Sequence, residues 1–169
     1  FFFKVFKLKG KNLWFAMKIF HIFMGLSVAV LVFLIANLFY DPEVALVSGF
    51  LTSFSPHVWT LYNMSADPSK PYNVLFGLLT IYTFFLFLEN KKKIYSYICG
   101  LIMGINFLFF HAGSFMFPIV IFLICVFKSL NEKSFRQVKN YFMIVVIALI
   151  TSALLNKLHA VYFDLPFNP

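Results

Sequence analysis

Charge is scarce in this sequence. Of its 169 residues only 12% are charged, and acidic side chains number just 6, against about 25% charged residues in an ordinary soluble domain. A soluble fold of this length must still cover its outside with polar groups, and 14 basic plus 6 acidic side chains beside 26 Phe do not suffice. Lipid is the solvent that remains. Cysteine is equally rare: Cys99 and Cys125 both fall inside apolar runs, where Cys acts as a small hydrophobe, so they report nothing about redox compartment. The sequence has no CxxC pair, no His/Cys cluster at ligand spacing and no Gly-rich phosphate loop. Metal and nucleotide sites of those kinds receive no support. No cofactor is identifiable, and a divalent metal would belong to a longer, full-length protein.

What the chain does contain is apolar runs, 62% hydrophobic residues in all. A spanning helix needs about 20 predominantly apolar residues to cross about 30 Å of hydrocarbon. Segments at about 13–39, 44–62, 72–88, 94–110, 115–130 and 141–157 predict an all-α, polytopic transmembrane helical bundle of about six membrane segments in a single domain. Asp41-Pro42 ends the first segment, because proline cannot continue the hydrogen-bond ladder. The second contains Gly49, Ser53 and Ser55-Pro56 and is expected to bend or leave the helix there. Residues 63–71 carry turn signals and read as a polar loop. Residues 94–130 read as a helical hairpin broken at His111-Ala112-Gly113-Ser114, with Gly100 and Gly104 offering a face that a neighbouring helix can approach closely. Asn106, a lone amide among apolar residues, is expected to hydrogen-bond a neighbouring helix.

The net charge of +8 would suggest nucleic acid in a soluble protein, but these cations sit in short clusters between apolar runs. Lys91, Lys92 and Lys93 form one flank; Lys133, Arg136 and Lys139 form another. Both flanks suit the cytoplasmic side of a membrane. That places 62–71 and the His111 turn outside. If 13–39 and 44–62 both span, the Lys-rich start is outside too, so either the second segment is re-entrant or an earlier helix fixes the orientation. The chain opens Phe1-Phe2-Phe3 without Met and ends on a loop-like Leu165-Pro166-Phe167-Asn168-Pro169. It reads as a fragment of a longer one.

The order of a spanning helix, a short turn, a helix closing on Ser55-Pro56, a polar loop, then Gly100-Leu101-Ile102-Met103-Gly104-Ile105 and a hairpin broken at His111 resembles the polytopic GT-C glycosyltransferases. Within these it is most similar to the dolichyl-phosphate-mannose protein mannosyltransferase and lipid A aminoarabinose transferase-like family, over about residues 13–130. The resemblance implies an integral, multi-pass protein of a bacterial inner membrane or the endoplasmic reticulum. It also implies transfer of a sugar from a polyprenyl-phosphate donor to an acceptor on the outer membrane face. The family's acidic pair lies in the first outward loop; Asp41 and Glu43 sit at what the same layout makes a cytoplasmic turn, so the catalytic residue is unknown and expected upstream.

Such a transfer needs a carboxylate to deprotonate or orient the acceptor, and cationic or hydrogen-bonding groups to hold the lipid phosphate. The candidate substrate-binding residues are His57, Asp67, Lys70 and His111. Each has a plainer reading beside it: His57 caps or simply follows a helix end, Asp67 with Lys70 forms a turn with a surface ion pair, and His111 ends a membrane crossing. The partners implied are the lipid bilayer and a polyprenyl-phosphate sugar donor, with no nucleic acid. Two rivals stand against the transferase: another polytopic envelope protein, such as an O-antigen polymerase or a flippase of lipid-linked sugars, and a non-catalytic membrane subunit.

Overall fold

The computed structural model describes residues 10–55, 69–108, 116–131 and 136–163. Six α-helices make up the described chain and no strand occurs within it, which is the architecture of a helical membrane bundle. The helices fall into two units that divide between residues 71 and 72.

The first unit holds α1 (Gly10–Ala36) and α2 (Pro42–Ser53). After Ala36 the chain tightens into a turn, with Phe39 N–H donating to the Ala36 carbonyl at 3.0 Å, and Asp41 then takes an extended conformation (φ −62°, ψ 151°). Pro42 opens α2, where its missing N–H would have had no helical partner in any case. Ala45 and Gly49 form the buried face of α2. A Cβ on Gly49 would stand 2.9 Å from the Cβ of Phe33 and 3.1 Å from the Ala29 carbonyl oxygen, so the absent side chain lets α2 lie against α1. The hydroxyls of Ser48 and Thr52 bond back to the Val44 and Ser48 carbonyls, both at 2.8 Å, as hydroxyls do where no water is at hand. With 12 residues, α2 is about 18 Å long, short of a crossing, and it closes ahead of Ser55-Pro56. Residues 56–62 of the segment expected at 44–62 lie outside the described residues.

The second unit takes in α3 (Ser69–Asn90) from Tyr72 onward, α4 (Lys93–Leu108), α5 (Met116–Asn131) and α6 (Arg136–Phe163). Only Lys91 and Lys92 separate α3 from α4. Lys91 sits in the left-handed region, φ 55°, and its N–H caps the Phe87 carbonyl at 2.9 Å. Phe84 and Phe87 of α3, Cys99 and Met103 of α4, Ile121 and Cys125 of α5, and Ile144 and Ala148 of α6 form one core. Both cysteines are free and buried, as small hydrophobes are.

The outside of this unit is apolar. Phe127 is 68% exposed, Leu130 69% and Leu154 58%. Among the described residues three stretches are long and apolar enough to cross a membrane: Lys18–Ala36, Tyr72–Asn90 and Val138–Leu158. The 16-residue α4 and α5 are shorter apolar helices.

Candidate functional site

The candidate site forms at one end of the α3/α4 hairpin. Two residues join these helices, and the start of α3 and the end of α4 are their ends away from the Lys91–Lys93 turn.

Two faces of α4 hold it in place. Gly100 and Gly104 face α6: a Cβ on Gly100 would stand 2.8 Å from the Cβ of Ile147, and one on Gly104 2.6 Å from the Ala148 carbonyl oxygen. The close approach expected of this Gly-xxx-Gly pair is therefore made, and its partner is α6. The other face carries Ser96, Cys99, Met103 and Asn106, all buried at alternating three- and four-residue spacing. On α3 the matching buried stripe is Asn73, Gly77, Thr80, Phe84 and Phe87. The Cys99 thiol donates to the Thr80 carbonyl at 3.5 Å, a weak bond from α4 to α3.

Most of the polar groups on this seam satisfy themselves within their own helix. Thr80 donates to the Phe76 carbonyl, Thr83 to Leu79 and Ser96 to Lys93, at 2.7–2.8 Å. The two amides do not. Oδ1 of Asn73 and Oδ1 of Asn106 are buried and have no hydrogen-bond partner among the described residues, although the side chains are only 5% and 1% exposed. Asn106 was expected to bond a neighbouring helix, and its oxygen does not.

Of the candidates named from the sequence, Lys70 is the second residue of α3 by backbone, three residues ahead of Asn73, with its side chain outside the described residues. His57, Asp67 and His111 also lie outside them; His111 follows the last residue of α4 by three positions in sequence. Asp41 and Glu43 are exposed at the start of α2, and the Asp41 side chain makes no capping hydrogen bond. Among the described residues no three His, Cys, Asp or Glu side chains gather as a metal would require. Asn73 falls inside the segment expected at 72–88 and was not singled out there. The signal that finds it is the spacing 73, 77, 80, 84, 87.

Over residues 1–156 the sequence matches the family described as dolichyl-phosphate-mannose-protein mannosyltransferase. The chain belongs to this family. No curated protein and no solved structure matches it. The mannosyltransferase-family match and the apolar helices together identify an integral, multi-pass membrane glycosyltransferase of the GT-C type.

Proposed function

We propose that this protein transfers a sugar from a polyprenyl-phosphate donor to an acceptor on the outer face of the membrane, with His57, Asp67, Lys70 and His111 contacting substrate. The observation that carries this reading is the family match over residues 1–156. It favours transfer over the polymerase, flippase and non-catalytic alternatives.

The charge pattern supports the orientation. Lys91, Lys92 and Lys93 close the α3/α4 hairpin at one end, and such clusters stay on the cytoplasmic side. The other end of the hairpin, where Lys70 enters α3 and His111 follows α4, is then the outer one.

The acceptor hydroxyl attacks the anomeric carbon of the donor sugar, the bond from that carbon to the phosphate oxygen breaks, and the acceptor proton passes to a carboxylate. Negative charge builds on the departing phosphate, so a lysine ammonium or an imidazolium beside it lowers the barrier. Lys70, His57 and His111 fill that role, and Asp67 holds the acceptor or steadies Lys70. The proton acceptor is assigned to none of the described residues.

The test is a transfer assay with the full-length protein in lipid vesicles and a hexosyl polyprenyl phosphate. Lys70→Ala and His111→Ala should each lower the rate roughly 10–100-fold, the worth of a charge-assisted hydrogen bond, without lowering the melting temperature. Unchanged rates in both variants would remove these residues from the site. Absence of any transfer by the wild type, with several polyprenyl sugar donors, would remove the reading itself.

A further inference from the structure

We infer that one face of α5 is a binding groove for an anionic phospholipid. An acyl chain lies along Val120, Leu123, Ile124 and Phe127, and the headgroup phosphate meets Lys128. This lipid is a resident of the bundle and not a substrate, so the inference goes beyond the transferase reading.

The groove follows from how α5 is seated. Pro118, Ile121, Cys125 and Ser129 form its buried face, and the Phe122 ring meets that of Tyr141 on α6, their centroids 5.1 Å apart. Beside these, Val120, Leu123, Ile124, Phe127, Lys128 and Asn131 line a cavity of about 430 Å³, within the roughly 300–1,000 Å³ of small-ligand sites. Their spacing of three and four residues keeps them on one face of the helix. The run from 120 to 131 is about 16 Å long, close to half of the hydrocarbon core of about 30 Å. It therefore has the length of one leaflet. Leu123 and Phe127 are 50% and 68% exposed, so the apolar wall opens toward lipid.

The polar end of the groove stands at the basic end of the unit. Gly100 approaches Ile144 and Ile147, and Gly104 approaches Ala148 and Thr151; contacts that advance together along both helices mean that α4 and α6 run parallel. Their starts, Lys93 and Arg136, are thus at one end. Residues 132–135 alone link α5 to α6, a connection too short to cross the unit, and it brings Lys128 and Asn131 to that end as well. The charged side chains described there are Lys91, Lys92, Lys93, Lys128 and Lys139 against Glu89. Such an excess attracts anionic headgroups.

Lys128 differs from the other four. They are exposed, whereas Lys128 is half-buried and forms part of the groove wall. A phosphate meeting its ammonium there is less screened by water than at the surface, which strengthens the contact. Asn131, about one turn further on, offers an amide donor to the same headgroup. A zwitterionic lipid brings its own cation beside its phosphate and gains less, so the groove selects for net negative charge. This end is also the one away from the start of α3 and Lys70, which separates the resident lipid from the sugar donor.

The test uses the full-length protein in neutral detergent, titrated with phosphatidylglycerol, phosphatidylcholine or polyprenyl phosphate and followed by melting temperature, which rises as a ligand binds the folded state. Phosphatidylglycerol should act at a roughly tenfold lower concentration than phosphatidylcholine, the worth of one charge-assisted contact. Lys128→Gln should abolish that preference, while Lys128→Arg and Lys139→Gln keep it. Leu123→Trp, which fills the groove, should weaken phosphatidylglycerol binding with Lys128 intact. Equal losses in Lys128→Gln and Lys139→Gln would reduce the effect to diffuse attraction by the basic flank and overturn the site. Equal action of the two phospholipids, or unchanged binding in Leu123→Trp, would overturn it too. A polyprenyl phosphate that matches phosphatidylglycerol with the same dependence on Lys128 would give the groove to the donor lipid. Absence of sugar transfer would leave all of these readings in place, so failure of the transferase reading is seen separately.

Discussion

Gly104 and Ala148 meet backbone to backbone: a Cβ on the glycine would stand 2.6 Å from the alanine's carbonyl oxygen. No rotamer change relieves such a clash, because the obstacle is main chain. Gly104→Ala must push α4 away from α6 and open the core around Cys99, Met103, Ile144 and Ala148. Overpacking of this kind costs about 1–3 kcal/mol, and the variant should melt several degrees below the wild type in nanodiscs. Leu101, 49% exposed on the other side of the same helix, is the control, and Leu101→Ala should change the melting temperature little. Equal melting of Gly104→Ala and wild type would mean that the two helices are not held at this distance.

Lys91 holds a left-handed conformation, φ 55°, that a glycine adopts without penalty. Its N–H still caps the Phe87 carbonyl at 2.9 Å, a bond that survives any substitution except proline. Lys91→Gly removes the Cβ strain while making the unfolded chain more flexible, and the net gain should be about 0.5–1 kcal/mol. Lys92 and Lys93 keep the flank basic. A lower melting temperature in this variant would show that the lysine side chain contributes more than the strain removes.

The Gly100/Gly104 contact and the closing of α2 before Ser55-Pro56 were legible in the sequence because each depends on what a residue lacks: a Cβ in one case, a backbone N–H in the other. Fold class was legible for a similar reason, since scarce charge leaves lipid as the only solvent. Register was not. The contact between Cys99 and the Thr80 carbonyl could not be read from the sequence, because hydrophobic periodicity identifies a face of each helix without saying how far one has slid along the other. Asn106 was expected to bond across an interface, and its Oδ1 is buried without a hydrogen-bond partner among the described residues. His57, Asp67 and His111 lie outside the described residues, so their roles rest on chemistry and chain order.

Asp41 and Glu43 are the acidic residues closest to a helix start among the described residues, and they invite a catalytic reading that the cytoplasmic place of this turn in the family layout argues against. Both are exposed, and Asp41 directs no side-chain hydrogen bond at α2. Asp41→Asn and Glu43→Gln should leave transfer within about twofold of wild type and stability within about 0.5 kcal/mol, as surface changes usually do. A drop in transfer beyond about tenfold with unchanged melting would place the pair in the active site.

The orientation of the second unit is open to a labelling experiment, because its native thiols are hidden. Cys99 and Cys125 are 0% and 1% exposed, so a membrane-impermeant maleimide should leave the folded wild type unmodified. Lys92 is exposed in the turn between α3 and α4, and Lys92→Cys adds one reachable sulfur. With the lysine turn in the cytoplasm, the reagent should label this variant in inside-out vesicles and not in intact cells. The amide pair and the start of α3 are then outward. Labelling in intact cells would place the turn outside and bring the start of α3, with Lys70, to the cytoplasmic face, where an outer-face acceptor could not reach it.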